Sequence, residues 1–158
     1  MQLRIDYAQP NDAPIIAQMV GELLHEIMAS IGTKAFSVDR EETEARARSW
    51  IEDGTYIVLL ARDGAQPEPL GFLALYECYA LYAEGSFGTI PELFVRPAYR
   101  SSGVGATLIL EAQGVGQARG WRRIEVTTPP LPQFDRTLAF YQQQGFSISG
   151  GRKLKIDL

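Results

Sequence analysis

The stretch Ile90 to Gly105, reading Ile-Pro-Glu-Leu-Phe-Val-Arg-Pro-Ala-Tyr-Arg-Ser-Ser-Gly-Val-Gly, holds residue types that can grip a phosphate. Pro97 cannot donate to a strand ladder, so it ends the apolar segment before it. Gly103 and Gly105 sit where the backbone takes unusual dihedrals or lets a ligand approach. A helix-forming run, Ala106 to Arg119, follows directly. The first amides of a helix have no partners within it, and together with the helix dipole they make an anion site. Arg100 adds a fixed positive charge beside that site. A tight strand-to-helix connection needs the same Gly-x-Gly, so the pair of glycines alone does not choose between the two readings.

Two further side chains suit proton transfer. Strand alternation puts Glu92 on a face with Ile90 and Phe94, either as an exposed end residue or as a carboxylate with a purpose. In an apolar cleft its pKa would rise towards neutrality, as a base requires. Tyr141 lies in a second block, Leu138 to Phe146, reading Leu-Ala-Phe-Tyr-Gln-Gln-Gln-Gly-Phe. A phenol is protonated at neutral pH and suited to donate, although Tyr141 also reads as an interior aromatic beside Phe140.

The elements that must position these groups follow from periodicity. Leu3 to Tyr7 alternates as a first strand. Asn11 offers a cap and Pro14 a first helical turn, and Ile16, Met19, Val20, Leu23, Leu24 and Ile27 share one helical face. His25 lies off that stripe and reads as a surface histidine. A second helix starts at Asp39, three residues before Glu42, and ends near Gly54. Tyr56 to Ala61 and Leu70 to Tyr76 read as an antiparallel pair across a turn-rich link. The tyrosine-rich segment Glu77 to Ser86 reads as irregular or as a strand extension, and Tyr79, Tyr82 and Glu84 are candidates to face an acceptor. Val104, Leu108, Ala112, Val115 and Ala118 are spaced for the buried side of the helix that Gly120 closes. Ile124 to Thr127 is then a strand parallel to the one before the loop, since strand, helix and strand imply a right-handed crossover. After Pro129, Pro130 and Pro132, Asp135 caps a helix over Thr137 to Gln144. Phe146 to Ser149 and Lys153 to Leu158 are expected to close the sheet, with the two lysines suiting an edge.

Composition bounds the rest. The 158 residues are 46% hydrophobic and 22% charged, which suits one globular domain over residues 1–158. The net charge is -4 with no block of Lys or Arg, so a nucleic-acid surface is not indicated. Cys78 is the sole cysteine, which rules out an internal disulfide and suits a reducing compartment. The N-terminal residues lack a signal-peptide core and no run approaches a membrane span, so the cytoplasm is the expected location.

Taken together, Leu-Phe-Val-Arg-Pro-x-Tyr-Arg-x-x-Gly-x-Gly and Phe-Tyr-x-x-x-Gly-Phe resemble the two signature blocks of the GNAT superfamily of acetyl-CoA-dependent N-acyltransferases. The resemblance implies an α/β fold of the α+β type. Its sheet would be mixed and mostly antiparallel, six- to seven-stranded with a central parallel pair, and would carry about four helices. It implies acetyl-CoA as cosubstrate with no metal, an amine-bearing acceptor, no nucleic-acid or membrane partner, and a possible homodimer. By the motif, a strand bulge offers the amides of Phe94 and Val95, with Leu93 near them, to the pantetheine arm and thioester carbonyl. The pyrophosphate would lie on the amides of Arg100, Ser101, Ser102, Gly103, Val104, Gly105 and Ala106. Tyr141 would be the general acid towards the leaving sulfur, and Glu92 the base, with Glu77 or Glu84 as substitutes.

Many relatives carry an Asn before the Phe-Tyr helix. Here that segment reads Thr127-Thr-Pro-Pro-Leu-Pro-Gln-Phe-Asp, so Thr127 or Thr128 would have to make part of that contact. Two functions fit: an acetyltransferase working by direct transfer in a ternary complex, or a non-catalytic acyl-CoA-binding module. Retention of both Tyr141 and Glu92 favours the enzyme, and Cys78 lies outside both blocks, which leaves an acyl-enzyme unmotivated. A phosphate-loop nucleotide binder would need Gly-Lys-Ser/Thr, which is absent. The acceptor would be read by Met28 to Val38 and Glu77 to Phe87, and the sequence does not name it.

Overall fold

The computed structural model describes every residue except Glu84, so the acceptor-facing and substitute-base expectations for Glu84 lie outside the described residues. The chain divides into two compact units, Met1–Thr127 and Thr128–Leu158.

In the first unit, strand β1 (Leu3–Tyr7) leads into helix α1 (Ala13–Ile31), with Pro14 in its first turn. The cap is Asp12 rather than Asn11, because a single 3-10 turn over Pro10–Asp12 intervenes. Gly32 ends α1 in the left-handed conformation, with its amide on Met28 O at 2.9 Å. Helix α2 (Arg40–Glu52) starts where Asp39 accepts the Glu42 amide at 3.0 Å, and its charges stay exposed. Strands β2 (Ile57–Asp63), β3 (Gly71–Ala80), β4 (Gly85–Ile90) and β5 (Leu93–Val95) follow, then α3 (Val104–Arg119) and β6 (Ile124–Val126).

The sheet runs β1-β2-β3-β4-β6, with β5 also paired to β3. All pairs are antiparallel except β4 with β6. Alternation sorts its two faces. Val58 and Leu60 of β2, Phe72 and Ala74 of β3 and Phe94 of β5 pack with Ile16 and Met19 of α1, and Ala47 and Ile51 of α2 join them. The residues between them, Leu59, Ala61, Leu73 and Leu75, are fully buried on the opposite face, where α3 contacts β2 and β3. Burying each large side chain of this set contributes roughly 1.5–3 kcal/mol.

The structure also departs from the sequence pattern at the motif strand, at Ala118 and at the C-terminus. The strand expected to carry the whole motif is divided: β4 takes the parallel partner β6, and β5 pairs only with β3. Ala118 is exposed, because Trp121 folds back to donate its amide to Gly116 O at 2.9 Å and lays its ring over Gly116 and Gly88. The C-terminal segments Phe146 to Ser149 and Lys153 to Leu158 form no strand, and Leu154, Ile156 and Leu158 are exposed. Alternation supplies a strand with an apolar face but not with a ladder partner, and a strand without one is not stable. Among the described residues the sheet therefore has six strands, within the six to seven expected.

The second unit contains helix α4 (Asp135–Gln143), stopped by Gly145 at positive φ. Asp135 stands inside its first turn, and Phe134 occupies the cap position. Tyr141 is buried, with its ring edge-on to Phe140 and to Phe146 at centroid distances of 5.4 Å each.

Candidate active site

The register around β3 locates a bulge. Leu73 pairs with Leu93, and Tyr76 pairs with Thr89. Two residues of β3, Ala74 and Leu75, therefore face three on the other side, Ile90, Pro91 and Glu92. One residue is extra, which defines a β-bulge, and Pro91 suits it because it has no amide to pair. Past the bulge the alternation is shifted. Ile90 stays on the α3 side opposite Leu75, whereas Glu92, whose carbonyl accepts the Ala74 amide at 2.9 Å, joins Phe94 on the α1 and α2 side. The sequence expectation that Glu92 shares a face with Ile90 is corrected by this single inserted residue.

The same ladder shows which backbone groups of β5 are free. Ala74 N bonds to Glu92 O, and Arg96 N to Leu70 O at 2.9 Å. In an antiparallel pair the bonded positions alternate, so Glu92, Phe94 and Arg96 point their backbone groups at β3. Leu93 and Val95 point theirs away, along an edge that no other strand covers among the described residues, where the Val95 carbonyl accepts from Arg100 Nε at 2.7 Å. The Phe94 backbone belongs to the β3 ladder and its ring to the core, so of the three residues expected at the pantetheine arm Leu93 and Val95 are the ones whose backbone faces outward.

Beyond β5 a 3-10 turn over Pro97–Tyr99 leads to the loop. Ser101 has φ 61 and Gly103 has φ 86, and Ser102 Oγ donates to Tyr99 O. Gly103 is the cap residue of α3, and its positive φ is the reason for glycine there. The first intrahelical bond is Thr107 N to Gly103 O, 3.0 Å, and no side chain caps this end. The amides of Val104, Gly105 and Ala106 precede that bond and form a concavity suited to an anion. Arg100 is placed differently from the expectation of a free charge. Its amide bonds to Pro97 O at 3.3 Å, and its guanidinium makes a two-pronged ion pair with Glu26 of α1, at 2.6 and 2.9 Å.

On the α1 and α2 side, cross-strand neighbours form a polar row. Tyr56, just before β2, stacks on Tyr76 of β3 with ring centroids 6.0 Å apart and planes 4° apart. Trp50 covers the Tyr56 ring at 4.9 Å. Tyr76 pairs with Thr89, which pairs with Glu125, and paired residues share a face. Cys78 adjoins the row, its Sγ 3.1 Å from Thr89 Oγ1. Glu92 stands beside this row, and burial pushes its carboxyl up from 4.5 to about 7, with a hydrogen bond from the Tyr56 hydroxyl pulling partly back. Tyr56 is pushed up in turn, by burial first and then by the Glu92 charge. A carboxyl titrating near neutrality is a competent base at the pH of a cell.

Glu92 and the loop thus belong to the first unit, and Tyr141 to the second. Burial alone pushes the Tyr141 phenol up to about 12, which keeps its proton in place as a donor. Glu77 accepts from Trp121 Nε1 at 2.7 Å and from the Tyr79 hydroxyl at 2.6 Å, and these bonds hold its carboxyl below the usual range, which unsuits it as a base. His25 is exposed, with Nδ1 2.7 Å from Gly21 O. Sequence reading missed Tyr56 and Tyr76. The signal was present, since Tyr76 lies two residues from Ala74 in a strand whose even positions are buried under α1. Among the described residues no group of His, Cys, Asp or Glu is placed to hold a metal, and no helix is long and apolar enough to cross a membrane.

Comparison with known proteins bears on family and fold. No curated protein matches in sequence. Among solved structures, a transcriptional regulator from Bacillus halodurans C-125 is 25% identical with a TM-score of 0.78, covering 99% of this chain and 100% of that one. An aminoglycoside acetyltransferase from an uncultured soil metagenomic sample, in complex with sisomicin, is 21% identical with a TM-score of 0.75 over 99% and 96% of the two chains. A ribosomal-protein-alanine N-acetyltransferase from Brucella melitensis biovar Abortus 2308 is 17% identical with a TM-score of 0.75 over 100% of both. The sequence model of the acetyltransferase (GNAT) family matches residues 24–146 of the 158. The bulge, the open edge of β5, the uncapped start of α3 and Tyr141 all fall inside that match, and the chain belongs to the acetyltransferase (GNAT) family.

Proposed function

We propose that this protein transfers an acetyl group from acetyl-CoA to a primary amine, directly and within a ternary complex. The observation that carries the reading is the presence of three features in one unit: the uncapped amides of Val104, Gly105 and Ala106, the outward-facing amides of Leu93 and Val95 on the β5 edge, and the half-buried Glu92 at the bulge. In this reading the loop amides take the pyrophosphate and the β5 edge takes the pantetheine arm. The Glu92 carboxylate accepts the amine proton as nitrogen bonds to the acyl carbon. Outward amides at the bulge meet the oxyanion. The carbon–sulfur bond then breaks, and the Tyr141 hydroxyl, assigned on its motif, protonates the thiolate. Cys78 has no nucleophile's role in this reading: its Sγ meets the hydroxyls of Thr89 and Tyr76, and no His, Asp or Glu is paired with it as a base. As a free thiol it suits a reducing compartment, the cytoplasm.

Calorimetric titration of acetyl-CoA and CoA tests the cofactor half, comparing the wild type with Gly105→Glu, which puts a negative charge into the anion concavity. Binding by the wild type that disappears in the variant is expected. A folded wild type that binds neither compound would remove the basis of the reading. Thiol release in the presence of amines tests the other half. The neighbours' own acceptors supply the first panel, an aminoglycoside such as sisomicin and a peptide beginning with alanine, and simple primary amines extend it. Binding without thiol release across a broad panel would favour the non-catalytic module.

A further inference from the structure

The segment between β5 and α3 is fastened to α1 by two ion pairs one helical turn apart. Arg96 meets Glu22 at 3.2 Å and Glu68 at 2.8 Å. Arg100 meets both carboxylate oxygens of Glu26, donates from Nε to Val95 O at 2.7 Å, and lies 5.6 Å over the Phe94 ring. Three of its N–H groups are engaged, one on Val95 O and two on Glu26, so the side chain is held in place as an anchor although it stays 41% exposed. What it anchors is strained. Ser101, the next residue, is the non-glycine residue with positive φ among those described, and a left-handed conformation disfavours a side chain by roughly tenfold or more in equilibrium. Such a conformation persists only where its surroundings enforce it. On one side of Ser101 stands the start of α3, and on the other stands Arg100.

We propose that Glu26 is a positioning residue for the cofactor: by pinning Arg100 it holds Ser101 left-handed, and so keeps the first-turn amides of α3 converged on one anion position. This inference rests on the acetyl-CoA reading above. The carboxylate touches no cofactor atom in this role and acts through Arg100 alone. It follows that the strain can be removed instead of enforced. Glycine at position 101 adopts φ 61 freely, so a loop carrying it no longer depends on the anchor.

The test is calorimetric titration of acetyl-CoA into the wild type, Glu26→Ala, Ser101→Gly and the double variant, with circular dichroism to check folding. Glu26→Ala is expected to weaken binding about tenfold, the factor the strain represents. Adding Ser101→Gly to that background is expected to restore most of the loss. A general loss of helix packing would not be repaired by a glycine 75 positions away in sequence. Should Glu26→Ala fail to fold, Arg100→Lys, which loses the fork and the Nε bond, carries the same two expectations. Unchanged or tighter binding in Glu26→Ala overturns the inference, the latter because it would mean that Glu26 competes with phosphate for Arg100. Loss without rescue by Ser101→Gly also overturns it. A wild type that binds no acetyl-CoA overturns the proposed function and this inference together, whereas a binding wild type with an indifferent variant overturns this inference alone.

Discussion

Replacing Glu92 with Gln is expected to stabilise the protein while disabling it. The ordinary value of the carboxyl is 4.5 and burial at the bulge pushes it to about 7. Between those values the folded protein holds a proton that the unfolded chain has lost, so stability falls as pH rises through that window and then levels above pH 7. At 1.36 kcal/mol per pH unit, the charge on Glu92 costs the folded state about 3 kcal/mol at pH 8, taken as an upper bound. Gln keeps the shape and the hydrogen-bonding oxygen but never ionises. For a chain of this length the variant should melt roughly 6–12 °C above the wild type at pH 8, and the two should nearly coincide close to pH 4.5. The assay is thermal or urea unfolding of both proteins across pH 4.5 to 8.5, at fixed ionic strength. Acetyl transfer by the variant should drop by about 10²–10⁴-fold, and the wild-type rate should rise with pH through about 7. A stability gap that does not grow with pH would refute the desolvated-carboxylate argument, and a variant with undiminished turnover would refute the role of base.

Other outcomes follow from the same geometry. Tyr141→Phe should retain acetyl-CoA binding but lose turnover, and because the phenol is pushed up to about 12, wild-type activity should show no alkaline fall below about pH 10; a fall near pH 8 to 9 would assign the acid elsewhere. Gly88→Ala would set a Cβ 2.3 Å from the Trp121 ring, so it should destabilise the unit by about 1–3 kcal/mol and red-shift tryptophan emission. Asp39→Ala removes the cap on the Glu42 amide and should cost about 1 kcal/mol in urea unfolding, without affecting cofactor affinity.

How much was legible in the sequence depended on how local its causes were. The starts of α1 and α2 and the end of α3 followed from Pro14, Asp39 and Gly120, each of which acts within a turn of itself, whereas α3 starts at Val104 and takes Gly105 into its first turn, two residues before the expected Ala106. The antiparallel pair β2 and β3 followed from two apolar runs around a turn. The C-terminal segments show the limit of that reasoning, because Leu154, Ile156 and Leu158 have strand periodicity and yet stand exposed without a partner. Glu77 is satisfied by the Tyr79 hydroxyl, two residues away, and by Trp121, distant in sequence, and only the fold shows that second bond.

By itself the sequence determined the family, through two spaced blocks whose glycines, proline and aromatics each have a local conformational reason, and it marked the loop and Tyr141 as places to look. The tertiary structure decided what the charged groups do. One extra residue between Ile90 and Glu92, visible only against the register of β3, carries the carboxylate onto the face with Tyr56 and Tyr76, where lost hydration raises its pKa to about 7. A carboxylate 74 residues away, on α1, turns Arg100 from a free charge into an anchor. Backbone preference is set by neighbours in sequence, whereas desolvation and ion pairing are set by neighbours in space, and only the fold says who those are.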